Sequence, residues 1–204
     1  MTVDAVTQAY RFALDPTPAQ RRQLASHVGA ARFAFNRMLA QIRDPAQREA
    51  EREWFGEPVT PAQGWSLAAL RRTWNAGKDR WAVNADTGEP WWPENSKEAY
   101  SSGLDALARA LAGWSDSRAG KRAGRPGGFP RFRKRSRRMG VGFTTGAIRV
   151  ESDRTHVTLP RIGRVKTHES TRKLARRVEN DTARILVGHR VPPQGEAARD
   201  RYRC

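Results

Sequence analysis

Residues 118–138 have the sequence RAGKRAGRPGGFPRFRKRSRR, and they separate two parts of the chain that differ in hydrophobic period. Ten of these twenty-one residues are basic and none is acidic. The glycines and Pro126 disfavour a helix in the first part of this segment, which we call the basic hinge. A dense run of guanidinium groups repels itself unless a polyanion lies against it, and phosphate suits that group best. Such a run is equally typical of a solvated, disordered linker.

The charge of the whole chain favours the first of these interpretations. Residues 1–117 carry fourteen Lys and Arg against fourteen Asp and Glu. Residues 118–204 carry twenty-four against seven, which accounts for the entire net charge of +17. A neutral half beside a strongly basic half is the pattern expected of a packed body joined to a surface that binds an anionic partner. Nucleic acid is therefore the expected partner.

The composition excludes several other classes of protein. The single cysteine, Cys204, rules out a disulfide framework and a cysteine-rich zinc site, and it fits a reducing compartment. The sequence has no run of about eighteen apolar residues, and its N-terminus lacks the basic and then apolar layout of a secretory signal. The basic half is rich in Gly and Pro, unlike a membrane-binding amphipathic helix. We expect a soluble, cytoplasmic protein with no membrane partner.

Before the hinge, the sequence predicts a strand and then a block of helices. Apolar and polar residues alternate over residues 8–14, as in a half-buried strand. Thr17, Pro18 and Gln20 form the capping-box start of a helix, which continues with apolar residues at steps of three and four. Gly29 leaves two alternatives open. The segment is either two helices joined by a turn, as in a helix-turn-helix, or one long amphipathic helix.

Two more amphipathic helices are predicted before the hinge. Their apolar stripes consist of Leu67, Leu70, Trp74 and Trp81 in the first and of Tyr100, Leu104, Leu107, Leu111 and Trp114 in the second. Asn95, with Glu98 three positions later, is the predicted N-cap of the second helix. All seven tryptophans lie between residues 54 and 114. At helical spacing we expect most of them in the core, with stacking on unpaired bases as the alternative.

After the hinge, the period changes from helical to two. Short strands are predicted around residues 141–143, 148–150, 157–159, 162–166 and 183–187, and the second and third of them form a hairpin. Residues 170–178 form either a basic helical turn or an irregular segment. The predicted fold is α+β: a β module interrupted by a helical block with an N-terminal helix-turn-helix-like segment. Its parts are a first strand (1–16), the helical block (17–117), the basic hinge (118–138), the remaining strands (139–187) and a disordered, aberrant tail (188–204).

The sequence shows no pattern typical of a catalytic or metal site. Its four histidines, His27, His156, His168 and His189, form neither an HxxxH nor an HxH pair. The acids fall on predicted helix surfaces, turns and caps, whereas a two-metal nuclease holds its carboxylates around shared ions. No Gly-rich phosphate loop is present. We therefore predict no catalytic residue, no metal and no cofactor for this chain.

Several motifs resemble the TnpB (OrfB) family of insertion-sequence proteins. Residues 10–20 (YRFALDPTPAQ) and 29–36 (GAARFAFN) resemble its opening signature. Residues 128–134 (GFPRFRK) resemble its Gly-Phe-Pro-Arg-Phe-Lys segment, and residues 146–150 and 159–166 resemble the strands that follow. These motifs occur in the family order and cover roughly residues 8–187.

The resemblance implies a role in transposition and DNA recombination. Full-length members of the family are RNA-guided DNA nucleases related to type V CRISPR effectors. In them a wedge-like β-barrel interrupted by a helical block binds guide RNA and target DNA, and a RuvC-like domain with metal-binding acids cuts. The resemblance therefore implies that the β module of this chain is small, β-barrel-like and wedge-shaped. Residues 188–204 resemble nothing in the family, and no catalytic aspartate follows residues 183–187. We therefore expect a truncated or frameshifted copy that lacks the nuclease and its zinc ribbon.

The expected function is binding of guide-type RNA and DNA by basic side chains that contact phosphate. The expected phosphate contacts are Arg118, Lys121, Arg122, Arg125, Arg131, Arg133, Lys134, Arg135, Arg137, Arg138, Arg161, Arg164 and Lys166. Phe129 and Phe132 either attach the hinge to the β module, which we favour, or stack on bases. Alternative functions are a helix-turn-helix regulator, a metal-dependent nuclease or recombinase with unrecognised acids, and a decayed remnant that barely folds.

Overall fold

The computed structural model describes residues 12–43, 64–136, 139–143, 148–179, 185–189 and 202–203, with the backbone alone for 177–179, 185–189 and 202–203. These residues form four helices: α1 (Pro18–Arg43), α2 (Leu67–Trp81), α3 (Lys97–Arg118) and α4 (Arg172–Glu179). They also form seven strands: β1 (Ala13–Asp15), β2 (Met139–Phe143), β3 (Arg149–Val150), β4 (His156–Leu159), β5 (Gly163–Thr167), β6 (Ile185–His189) and β7 (Tyr202–Arg203). The mixed helix and sheet content agrees with the predicted class.

Helix α1 begins at the predicted capping box and runs without a break through Gly29. The Thr17 N–H donates to Gln20 Oε1 at 3.0 Å, and the Gln20 N–H donates to Thr17 Oγ1 at 3.3 Å. Of the two alternatives at Gly29, the structure has the single long helix. A continuous stripe of buried side chains explains this, because Leu24 and Val28 before Gly29 pack in line with Phe35 after it. The predicted strand residues 8–11 lie outside the described part of the chain.

Helix α3 packs across α1 at very short range. Its Gly103 lies against the carbonyl oxygen of Ala31, and a Cβ at position 103 would collide with that oxygen. Leu104, Leu107 and Leu111 continue the same face of α3 and are fully buried. The apolar stripe predicted for this helix is therefore the centre of the helical core.

The N-cap of α3 is Ser96, and the prediction of Asn95 was wrong by one residue. The Ser96 hydroxyl accepts the Glu98 N–H at 3.2 Å, which is the capping bond. Asn95 instead ends a short 3-10 turn (Trp92–Glu94), and its N–H donates to the Trp92 carbonyl at 3.3 Å. Asn95 closes the 3-10 turn, so the next polar residue, Ser96, caps the helix.

The strands form one antiparallel sheet in the order β2, β6, β7, β1, β5, β4, β3. The predicted hairpin is present, with Val150 opposite Val157 in β3 and β4. Strand β1 pairs with β5, with Leu14 opposite Thr167. Since α1, α2 and α3 all come between β1 and β5 in sequence, a helical block is inserted between two neighbouring strands of the sheet.

The helical block is bonded to the sheet through β2. The Ser102 hydroxyl of α3 accepts the Gly142 N–H at 2.9 Å. Helix α1 also contacts β2: the centroid of its His27 ring lies 6.2 Å from that of the Phe143 ring. Residues 170–178 were predicted to be either a helical turn or irregular, and the structure has a helix at 172–179. The strand predicted around 183–187 lies at 185–189. Most of the tail predicted to be disordered lies outside the described residues.

Candidate nucleic-acid interface

The second half of the basic hinge is attached to α1 by one asparagine. The Arg133 N–H donates to Asn36 Oδ1 at 2.7 Å, and Asn36 Nδ2 donates to the Arg133 carbonyl at 3.1 Å. Both bonds use the backbone of Arg133, so its guanidinium is left to lie 4.9 Å from the centroid of the Phe35 ring. Pro130 is buried nearby. Proline and the preceding glycines keep this segment out of a helix, which leaves its backbone groups available to Asn36.

The two phenylalanines of the hinge occupy different environments. Phe129 is partly buried and meets the Trp114 ring of α3 edge-on, with centroids 4.9 Å apart and planes at 88°. Phe132 is 48% exposed, and the Arg43 guanidinium lies 5.4 Å from its ring centroid. Phe129 therefore holds the hinge against α3, while one face of Phe132 is accessible to solvent.

Arginines of α1 share this surface with the hinge. Burial lowers the pKa of the Arg32 guanidinium, and the positive charge of the nearby Arg135 lowers it further. Within the described ranges, neither Arg32 nor Arg135 forms an ion pair with a carboxylate. Two guanidinium groups that repel each other are stabilised when an anion binds between them.

The sequence did not single out these α1 residues as binding residues. Arg37 and Arg43 belong to none of the quoted motifs, and Arg32 and Asn36 appear only inside the family motif at 29–36. The signal that could have found them is their spacing, because residues 32, 36 and 43 recur at steps that keep them on adjacent rows of one helix face. A polar stripe beside an apolar stripe is common on any surface helix, so this signal is weak on its own.

The remaining hinge cations lie nearer to the end of α3. Arg118 is the last residue of that helix, and its guanidinium lies 5.5 Å from the centroid of the Trp114 ring. Lys121, Arg122 and Arg125 are exposed in the loop that follows. The exposed group nearer to α1 consists of Arg131, Lys134 and Arg135. Arg137 and Arg138 lie outside the described residues.

The basic residues of the sheet form a second patch at the other end of α1. The Gln20 side chain donates to the Arg164 carbonyl at 2.7 Å, which brings β5 to the start of the helix. Gln20 and Asn36 are sixteen positions apart on α1, a separation of about 24 Å along the helix axis. Arg161 and Lys166 are exposed in this patch. The predicted phosphate contacts that the structure describes therefore fall into three groups: one near the end of α3, one in the hinge beside Asn36 and one on the sheet.

Arg164 differs from its neighbours because it is already paired with an acid. Its guanidinium forms an ion pair with Asp153, and His156 Nδ1 lies 2.6 Å from the same Asp153 oxygen. The pKa of Asp153 is lowered, first by the N–H of Thr155 and then by the Arg164 and His156 side chains. This acid neutralises part of the positive charge of Arg164, so Arg161 and Lys166 are the stronger candidates for phosphate contact.

Two classes of site are not found in the described ranges. Among those residues, no three His, Cys, Asp or Glu side chains come close enough together to share a metal ion. The helices described there are also too short or too polar to cross a lipid bilayer.

Comparison with known proteins agrees with the motifs quoted above. Residues 1–51 match the family model of the OrfB helix-turn-helix domain. Proteins from two strains of Mycobacterium tuberculosis, which carry the provisional name RNA-guided DNA endonuclease, are 47% identical to this chain over 181 residues. The alignment covers 88% of this chain and 38% of each relative, so the chain spans well under half of their length. By these matches the chain is similar to the N-terminal region of the TnpB/OrfB insertion-sequence proteins.

Proposed function

We propose that this region binds a guide-type RNA and DNA in the bacterial cytoplasm, as the nucleic-acid-binding portion of a TnpB-like protein. In this proposal the sheet with its inserted helices acts as the wedge module, and no cleavage chemistry is assigned to the residues described here. The observation that carries the proposal is the attachment of the hinge to α1 through Asn36. That attachment turns two basic segments, far apart in sequence, into one surface.

The spacing of the two basic patches suits a helical strand. Phosphates of one strand of B-form DNA follow one another at about 3.4 Å along the axis. The attachment points Gln20 and Asn36 lie about 24 Å apart along the axis of α1, a length that roughly seven nucleotides of such a strand span. A strand that contacts both basic patches must also pass around α1, because these two residues lie about 160° apart around the helix axis.

The exposed ring of Phe132 supports binding of a strand with unpaired bases. Aromatic side chains on a basic surface stack on bases of any sequence, and RNA is recognised mainly where its bases are unpaired. The Arg43 guanidinium beside Phe132 adds a charge for the adjoining phosphate. A guide-type RNA, which presents both phosphates and unpaired bases, therefore suits this end of the surface better than a continuous duplex.

A regulator that reads a duplex with two helices inside residues 18–43 is the second candidate. The unbroken course of α1 through Gly29 disfavours it, because this span contains no turn that would set one helix across the other. We therefore do not propose this function, and footprinting on duplex DNA separates the two candidates. One protected duplex site with high specificity would favour the regulator.

The test compares a structured RNA from the gene's own locus with a duplex DNA of matched length, using the full chain. The double variant Arg131→Gln/Arg135→Gln removes two charges from the surface. We expect it to weaken RNA binding and to lower the slope of log affinity against log salt by about 2. Arg72→Gln/Lys97→Gln is the control, since it removes two exposed charges from α2 and α3, outside the hinge sequence.

The outcomes separate the parts of the proposal. RNA binding that is tighter than duplex binding and is weakened only by the hinge variant supports it. Equal and weak binding to both nucleic acids, with the same loss in both double variants, would show that net charge alone drives association.

A further inference from the structure

An open pocket of about 500 Å³ lies beside the attached hinge. It is lined by one row of α1 and by a tryptophan that precedes α3: Gly29, Arg32, Phe33, Asn36, Arg37 and Trp91. The α1 members recur at steps of three and four, so they form one continuous stripe next to the buried stripe of the helix. Pockets that hold small ligands have volumes of about 300–1,000 Å³, and this pocket falls within that range.

One wall of the pocket is cationic. Arg32 is partly buried and faces the repulsion of Arg135, and in the described part of the chain no carboxylate neutralises either group. The Arg37 guanidinium is held at 4.7 Å from the centroid of the Trp81 ring. Guanidinium groups fixed in place in this way bind phosphate oxygens in a bidentate manner at low entropic cost.

The other wall is aromatic and is fixed by its own packing. The Phe33 ring meets Trp91 edge-on at 5.0 Å and 75°, and it meets Trp74 edge-on at 6.0 Å and 76°. Trp91 also lies 6.4 Å from the Tyr100 ring, so it is held from two sides. Phe33 and Trp91 are only partly buried, which leaves π surface facing the pocket. Such a surface binds the flat face of a base.

We propose that this pocket holds one unpaired nucleotide of a bound strand, with its phosphate on Arg32 and its base against Trp91 and Phe33. The proposal rests on the proposed function, because it assigns a place to one nucleotide of the strand that the basic surface binds. A nucleotide suits the pocket because it carries an anion and a flat aromatic face on one small group. A simple anion would leave the aromatic wall in contact with water.

The test is photo-crosslinking with single strands that carry 5-bromouracil, made once as RNA and once as DNA. Each is bound to the full chain and irradiated, and the adducts are located by mass spectrometry. We expect an adduct on Trp91 or Phe33. An adduct from RNA alone identifies the guide-type strand as the source of the nucleotide, and one from DNA alone identifies the target strand.

Two variants change the pocket in different ways. Arg32→Gln removes the phosphate contact and should lower the adduct yield about tenfold or more, the range expected for a charge-assisted hydrogen bond. Gly29→Leu fills the pocket without changing its charge. A Cβ at position 29 would lie 3.9 Å from Arg32 Nη2, an ordinary contact, so the helix accepts a side chain there.

The control is Arg22→Gln, which removes the same charge from an exposed position on the same helix outside the pocket. It should keep the adduct on Trp91 or Phe33. Tight binding with adducts only elsewhere, or an adduct yield unchanged in both Arg32→Gln and Gly29→Leu, would overturn the pocket and leave the proposed function standing. Absence of binding to either strand at low salt would overturn the proposed function and the pocket with it.

Discussion

At the scale of single residues, Gly103 allows α1 and α3 to pack closely against each other. A Cβ at this position would meet the backbone carbonyl of Ala31, which cannot rotate away. We predict that Gly103→Ala lowers the free energy of unfolding by about 1–3 kcal/mol or more, as for other overpacked cores. Urea denaturation followed by circular dichroism measures this change.

Gly113 on the same helix is the matched control for Gly103. There a Cβ would meet only Arg122 Nη1, at 3.3 Å, which is the end of a flexible side chain. Gly113→Ala should be neutral or should add up to about 1 kcal/mol through the higher helix propensity of alanine. If the two alanine variants had equal stability, the close contact at Gly103 would not exist.

His27 makes the stability of the helical block depend on pH. Its Nε2 accepts the Ser96 N–H at 3.1 Å, and its Nδ1 donates to the Gln23 carbonyl at 2.8 Å, so the ring is held in one neutral tautomer. Burial lowers the pKa of His27, with a smaller contribution from the charge of Arg161, although the Gln23 carbonyl acts in the opposite direction.

The direction of the pH effect follows from this lowered pKa. The unfolded chain, with a histidine pKa of about 6.5, binds the proton more readily than the folded chain does. The contribution of His27 to stability is therefore complete above about pH 6.5 and is lost as the pH falls below it. Urea midpoints at about pH 8 and about pH 5 should differ in the wild type, and they should differ less in His27→Gln. The same pH dependence in both proteins would contradict this role.

At the scale of elements, Asn36 joins the hinge to α1. Asn36→Ala removes both hydrogen bonds to Arg133 and leaves its backbone groups without these partners. We predict a loss of about 1–3 kcal/mol in the free energy of unfolding, together with weaker RNA binding, because the hinge cations are then no longer held in place. Asn75→Ala, at an exposed position on α2, is the control and should change neither quantity. An Asn36→Ala protein with wild-type stability and affinity would show that the hinge does not depend on this contact.

The two phenylalanines of the hinge should separate stability from binding. Phe132→Ala should leave stability within about 0.5 kcal/mol, since the ring is exposed, and should weaken binding to an unpaired strand by about 1–3 kcal/mol. Phe129→Ala should lower stability, because its ring packs against Trp114. Denaturation and fluorescence anisotropy on both variants provide the comparison. A Phe132→Ala variant that loses stability but keeps its affinity would reverse the assignment.

The sequence predicted the elements whose signals are local. The capping box at Thr17 and Gln20 and the hairpin around residues 151–154 depend on neighbours in the chain, and both are present. Asn36 and Arg133 are 97 positions apart, so no local sequence pattern predicts their contact. The same holds for the pocket, because Trp91 and Arg32 meet only after the helices have packed. Ser96 replaced Asn95 as N-cap because the preceding 3-10 turn ends at Glu94, a boundary that residue preferences alone do not define.

At the scale of the whole molecule, the fold determines where the basic residues lie. The insertion of the helical block between β1 and β5 sets the sheet cations at the start of α1 and the hinge cations further along it. Part of the excess of basic residues in the second half of the chain thereby lies in two patches beside α1. We therefore expect a phosphate backbone to bind across both patches.

The most direct test of that claim is the salt dependence of RNA binding by the full chain. If the two patches contact six to ten phosphates, affinity should fall by about 10³–10⁵-fold between about 50 and about 200 mM salt. The Asn36→Ala variant should show a shallower slope, since part of the surface is then lost. An affinity that hardly changes over this range would contradict the claim, because it would mean that the basic surface does not bind the phosphate backbone.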